Sequence, residues 1–383
     1  MSQTGVVELL KELVAIPSVN PECDPEEPDA GEQAMAERVG TYLRDLGAEV
    51  TLEEVQPGRP NVVAKFPSTE STNTRSTKPR LLFGPHLDTV GVRGMTVDPF
   101  EAEERDGRIY GRGACDTKGT MAAMLAAFTE LGAEAIAKAD VEVSFAGFCG
   151  EEFAQPGSRD FVKKHKGEFD FAIVGEPTGN DLVFRHKGCL WARVVAEGLS
   201  AHGSTPELGA NAIHKMGRLV EQLNGSFRKL LADAAPGDKY LTPSTINIGK
   251  IQGGAQPNIV PNHCELEIDI RFLPILSEEI ESILTEFVEA QEPGVKVERM
   301  FFSHALDNNT ADPMIVRLLT LPQEPELVGA SWFCDGAVLA AAGLPAVAAG
   351  PGDIAQAHTA DEWISVEELE RGVAFYKSVI TGE

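Results

Sequence analysis

Apolar runs of strand length alternate with amphipathic helical stretches through the first ~185 residues, and that alternation limits the fold more than any other feature. Helical spacing covers 6–15, ended by Pro17, and 32–46, stopped by Gly47 at its C-cap position. Strand-like runs follow at 49–55, 61–66 and 80–84. A helix over 118–131 comes next, then strands at 141–148 and 171–174. Strands alternating with helices predict an α/β layer structure around a mixed, mostly parallel sheet. The polar, low-complexity run 68–78 reads as a surface loop, because it has nothing to bury.

Beyond residue 187 the rhythm changes. A strand at 190–197, a helix at 211–223, strands at 245–251 and 264–272, a helix at 277–290 and a strand at 295–301 follow in turn. The order β-α-β-β-α-β is the ferredoxin-like signature. It predicts an α+β domain over 187–301, inserted into a domain built from 1–186 and 302–383. The first rhythm then resumes with helices at 313–319, 336–342 and 366–380 and strands at 326–328 and 346–349.

Composition narrows the partners. Lys and Arg total 33 against 59 Asp and Glu, a net charge of −26, while 43% of residues are hydrophobic. There is ample material for a core, and no broad basic face for nucleic acid or an anionic membrane. The most apolar stretch, 337–350, contains Pro345 and is shorter than a membrane-spanning helix of about 18–20 residues. Glu8 and Glu12 lie where a signal peptide would carry basic and apolar regions, so a cytoplasmic location is expected. Cys23, Cys115, Cys149, Cys189, Cys264 and Cys334 form no C-x-x-C pair and are expected as thiols.

Several strands of the first pattern run into metal-capable side chains, the usual place for a site in an open α/β sheet. His86 and Asp88 follow the strand at 80–84, and their spacing of two lets both face one side. Asp116 precedes the helix at 118–131, Glu151 and Glu152 follow the strand at 141–148, and Glu176 follows that at 171–174. His358 precedes the last helix. Each has an ordinary alternative: a surface pair, a helix N-cap, a charged turn or a helix-terminal histidine. Together they make five ligand candidates, His86, Asp116, Glu152, Glu176 and His358, with Glu151 as a spare carboxylate. Two divalent ions against three carboxylates and two neutral histidines leave one net positive charge, enough to acidify a water. Mixed His/carboxylate ligation suits zinc, with cobalt or manganese as substitutes.

Five separated segments carry a resemblance: Gly84-Pro85-His86-Leu87-Asp88-Thr89-Val90, Gly111 to Gly119, Glu151-Glu152, Gly175-Glu176-Pro177-Thr178, and Ala357-His358-Thr359-Ala360-Asp361-Glu362. In this order they resemble the dinuclear zinc amidohydrolases, the family of acetylornithine deacetylase and succinyl-diaminopimelate desuccinylase. Ser18-Val19-Asn20-Pro21 and Cys115-Asp116-Thr117-Lys118-Gly119 lean toward the acetylornithine deacetylase-like members. The resemblance covers essentially the whole chain, insert included.

It implies that Asp116 bridges two ions, that His86 and Glu176 complete one and Glu152 and His358 the other, and that Asp88 orients His86. It makes Glu151 the general base that takes a proton from water and hands it to the leaving amine. In the insert, Gly198-Leu199-Ser200-Ala201-His202-Gly203 matches the family's lid histidine, so His202 would donate to the oxyanion in the partner subunit of a homodimer. Asn258 and Arg271 match positions that hold the substrate's α-carboxylate, although a strand-end salt bridge accounts for Arg271 equally well. The implied reaction is deacylation of a small N-acyl amino acid, N²-acetylornithine in particular. A desuccinylase or metallo-dipeptidase/carboxypeptidase of the same family, or a homologue that binds without catalysis, are the alternatives. Two departures stand out: Gly150 replaces the acid often found before the Glu-Glu pair, and Cys334 replaces a Ser or Thr before Asp335.

Overall fold

A computed structural model describes residues 5–26, 31–68 and 77–383 of the chain. The expected loop at 68–78 lies largely outside the described residues. The chain divides into two compact units, one formed by Met1–Phe184, Asn308–Val328 and Cys334–Glu383, the other by Arg185–Asp307 and Gly329–Phe333.

In the first unit the sheet runs Glu49–Gln56, Arg59–Lys65, Glu142–Gly147, Arg80–Pro85, Phe171–Gly175, Ala346–Ala348 and Leu182–His186. Glu142–Gly147, Arg80–Pro85, Phe171–Gly175 and Ala346–Ala348 are mutually parallel. The first two strands of the order are antiparallel to their neighbours, so the sheet is mixed. The parallel strands are buried almost throughout, which is why they read as unbroken apolar runs rather than as alternation. Because they point the same way, their carboxyl ends meet along one edge. There the chain continues into His86, Cys149-Gly150-Glu151-Glu152 and Glu176.

Helices Val6–Val14, Lys118–Lys138 and Val366–Thr381 pack together. Val6–Val14 turns Leu9, Leu10, Leu13 and Val14 inward at helical spacing. Val366–Thr381 opens on a capping box, with Ser365 Oγ accepting from Glu368 N and the Glu368 side chain reaching back. Lys118–Lys138 runs past the expected end at 131 and is interrupted by Gly132 at φ 72°. Among the described residues it is the one helix long and apolar enough to cross a membrane by length and composition. Here it is a core helix: its residues from Lys118 to Phe128 are buried, and the Phe128 ring meets Phe66 and Phe83 edge-on at 5.3 Å. A small antiparallel sheet of Glu103–Arg105, Arg108–Tyr110 and Trp363–Ser365 pairs Tyr110 with Trp363.

The second unit has a four-stranded antiparallel sheet in the order Thr245–Gly253, His263–Phe272, Gly188–Glu197, Lys296–Ser303. Its helices are Ala212–Gln222, which continues through a wider turn at Leu223–Phe227 into Arg228–Ala234, and Ile280–Gln291. Strand Gly188–Glu197 alternates buried and half-buried positions, as a sheet with one covered face requires. Leu190, Val194, Met216, Leu219, Phe227, Leu266, Ile268 and Leu284 form the core beneath that face.

Candidate metal centre

The carboxyl edge of the parallel strands gathers the candidate ligands of the first unit. His86 directly follows strand Arg80–Pro85 and is 2% exposed. Its Nδ1 donates to the Asp88 main-chain carbonyl at 2.9 Å, and its Nε2 faces Asp116 Oδ1 at 3.0 Å. His358 arrives from the far end of the chain with φ 61°, a left-handed conformation that costs a non-glycine residue about 1–3 kcal/mol. Its Nε2 lies 3.1 Å from Glu152 Oε1 and 3.4 Å from Asp116 Oδ2. Asp116 therefore offers one oxygen to each histidine. The ligand atoms of His86, Asp116 and Glu152 all lie within 4.8 Å of one another. Thr117 caps nothing with its side chain and instead donates to Gly175 O at 2.8 Å, so neither residue is spent as a helix cap.

The electrostatics are those of anionic ligands around a shared centre. Burial works against the charged His86 imidazole, but Asp116 and Asp88 outweigh it and raise its pKa well above the usual value. His358 is pushed up to about 10 by Asp116 and Glu152. Burial raises the Asp116 carboxyl, yet the two histidines more than offset this and hold it below the usual range. Glu151 and Glu176 are raised well above theirs, by burial first and then by the charge of Glu176 on the former and of Asp116 on the latter. One oxygen of each, Oε1, is buried with no hydrogen-bond donor among the described residues. An acceptor left so costs about 1–3 kcal/mol unless something satisfies it. For Glu176 a hard or borderline cation does, and the donor set of His86, His358, Asp116, Glu152 and Glu176 fits a pair of divalent ions.

The surroundings hold this set in place. The Asp88 carboxylate accepts from Asn20 Nδ2 at 2.8 Å, from Glu151 N at 3.0 Å and from Glu152 N at 3.1 Å. Its nearer oxygen is 3.5 Å from His86 Nδ1, so the main-chain carbonyl makes the closer contact with that imidazole. The carboxylate chiefly grips the turn that carries Glu151 and Glu152. Gly150, in that turn, has φ 74°, and a Cβ there would lie 2.6 Å from Pro156 Cγ. An acidic side chain at this position has no room here. Asp335 is buried, its Oδ1 accepting from Ser158 Oγ at 2.5 Å and Gln155 Nε2 at 3.3 Å, and burial raises its pKa to about 6. Glu362 is fully buried and binds the 112–116 loop. Asn20, Gln155, Ser158 and Glu362 are not among the site residues expected from the sequence. Asn20 and Glu362 stood inside quoted motifs, and the one available signal was their presence there.

His202, Asn258 and Arg271 belong to the second unit. A bridge between His202 and Ile259, and Gly203 N donating to Asn258 O at 2.8 Å, set His202 beside Asn258 although 56 positions separate them in sequence. His202 is exposed, and its Nδ1 lies 2.7 Å from Ser204 Oγ and 3.2 Å from Ser204 N. Arg271 pairs with Asp269, Nε to Oδ1 at 2.8 Å and Nη2 to Oδ2 at 3.0 Å, and lies 5.2 Å from the Phe333 ring centroid.

Residues 82–382 match the model of the peptidase family M20/M25/M40. The chain is 31% identical over 352 residues to an acetylornithine deacetylase of Aliivibrio salmonicida, spanning 89% of each. A solved M20 family metallo-carboxypeptidase of Sulfolobus solfataricus superposes with a TM-score of 0.79 at 19% identity over 99% of both chains. A Bacillus subtilis protein described as a dinuclear metal binding peptidase of the M20 family superposes at 0.67 and 14% identity, over 98% of this chain and 96% of its own. At these identities the structural likeness is one of fold.

Proposed function

The chain belongs to the peptidase family M20/M25/M40 and is a metallo-hydrolase; on that premise we propose that it hydrolyses the amide bond of an N-acyl amino acid, N²-acetylornithine first among them. The observation that carries the reading is Asp116, one oxygen toward His86 and the other toward His358, together with the buried Oε1 of Glu176, which has no donor among the described residues. In this reading His86, Asp116 and Glu176 would hold one divalent ion, and Asp116, Glu152 and His358 the other, with zinc the best match to the donors. Such ions supply Lewis acidity toward a carbonyl oxygen and lower the pKa of water.

The remaining work falls to side chains. Glu151 takes a proton from the attacking water on its carboxylate and returns it to the nitrogen of the departing amine. Asp88, clamped by Asn20, keeps Glu151 and Glu152 in register by holding both main-chain N–H groups. His202, an exposed imidazole, is suited to donate to a developing oxyanion, and we assign it to the active site of the partner subunit in a homodimer. Exposed Leu199, Leu208 and Ile259 in the His202 region support a second copy there. Asn258 and Arg271 would take the substrate's carboxylate, Arg271 loosening its pairing with Asp269 to do so. The substrate assignment rests on the name of the relative at 31% identity.

The test is hydrolysis of a panel of acetyl, succinyl and dipeptide substrates with zinc or cobalt, before and after chelation. Activity that survives thorough metal removal overturns the mechanism, and preference for a succinylated or dipeptide substrate overturns the substrate. Glu151→Gln should keep its metals and lose turnover about 10²–10⁴-fold. Near-normal turnover removes Glu151 as the base.

A further inference from the structure

We propose that Glu362 is the positioning residue that aims Asp116 at both metal positions; the inference rests on the two-ion reading above. Glu362 is fully buried, and both its oxygens are engaged by one loop. Oε1 accepts from Cys115 N and Asp116 N, each at 2.9 Å, and Oε2 from Gly113 N at 3.1 Å and Arg112 Nη1 at 2.7 Å. Three main-chain N–H groups and a guanidinium thus converge on one carboxylate, an anion nest built inside the protein.

The backbone is shaped for this. Gly113 sits at φ 81°, where a Cβ would meet Thr89 Cγ2 at 2.8 Å and Lys118 Cδ at 3.0 Å. The strand pairing of Tyr110 with Trp363, extended by Gly111 N donating to Glu362 O at 3.0 Å, sets Glu362 opposite the loop. Asp116 is held by its main-chain N–H on Glu362 while its carboxylate faces the histidines. Glu362 also lies four residues after His358, so one side chain ties the segment bearing Asp116 to the segment bearing His358. An amide at this position would turn an NH₂ toward N–H donors, so a neutral isostere cannot reproduce the contact.

The experiment compares metal-free parent and Glu362→Gln by titration with Co²⁺ and Zn²⁺, by the cobalt d–d spectrum, and by melting without metal. The variant should remain folded, bind cobalt about 10–100-fold more weakly with an altered spectrum, and lose kcat with KM little changed. Should Glu362→Gln fail to fold, Arg112→Met carries the test, with a smaller loss of cobalt affinity expected. Parental affinity and an unchanged cobalt spectrum in the folded variant overturn the proposal. A parent that itself takes up less than one ion per chain overturns the two-ion reading beneath it, and is distinguished by being seen before any substitution.

Discussion

Replacing Asp88 by Asn should release the turn that carries Glu151 and Glu152, and the size of the effect follows from its contacts. The carboxylate accepts three hydrogen bonds, from the buried Asn20 Nδ2 and Glu151 N and from the half-buried Glu152 N. An asparagine can keep its oxygen toward Glu151 N. Its NH₂ then faces Asn20 Nδ2 and Glu152 N, turning two attractive contacts into donor–donor pairs. Asn20 cannot simply turn over, because its Oδ1 already accepts from Glu22 N at 3.1 Å. Hydrogen bonds to charged groups are worth about 1.5–3 kcal/mol each, so the substitution costs about 3–6 kcal/mol. That is a large part of a typical domain's 5–15 kcal/mol. Amide exchange in the metal-free protein, followed by mass spectrometry across residues 149–155, reads the loss locally. At 1.5–3 kcal/mol the Glu152 amide should exchange roughly 10- to 150-fold faster than in the parent. Unchanged protection at residues 151 and 152 would refute the clamp, whatever happened to turnover.

Two further outcomes test the fold around the site and the second unit. Gly150→Ala should lose about 2–5 kcal/mol, from the left-handed φ and the contact with Pro156, and a melting temperature equal to the parent's would show that the turn is not so confined. His186 is buried and donates Nδ1–H to Lys187 O at 2.9 Å, and burial lowers its pKa to about 4. Its unfolded value is about 6.5, so between the two the unfolded chain binds the extra proton. Stability should therefore fall as pH drops from about 6.5 toward 4, by roughly 3 kcal/mol for this group at the lower end. His186→Gln should remove that part of the slope in urea denaturation, and identical slopes would exclude the buried neutral imidazole.

Much of the α/β architecture could be read from residue order because its signals are local. Strands such as Phe171–Gly175 are buried on both faces and appear as continuous apolar runs. Gly188–Glu197 alternates because one face is covered and the other is not. The course of Lys118–Lys138 past Gly132 was not legible, since a glycine at that point is equally a terminus. The membrane-like composition of that helix likewise says nothing of its burial under Phe66 and Phe83, which is a matter of packing.

By itself the sequence determined the alternation of strands and helices, and with it the placing of His86, Asp116, Glu151, Glu152 and Glu176 just beyond strands or before a helix. Those are properties of neighbouring residues, and periodicity and turn chemistry reveal them. Only the tertiary structure decided what holds these groups: Asn20 on Asp88 from 68 residues away, and Glu362 on Asp116 from 246. The buried carboxylates of Asp88 and Glu362 are met by donors, but any N–H or amide in the chain could serve. Which one does is settled when parallel strands bring their carboxyl ends to one edge and a short strand pair lays residue 363 beside residue 110.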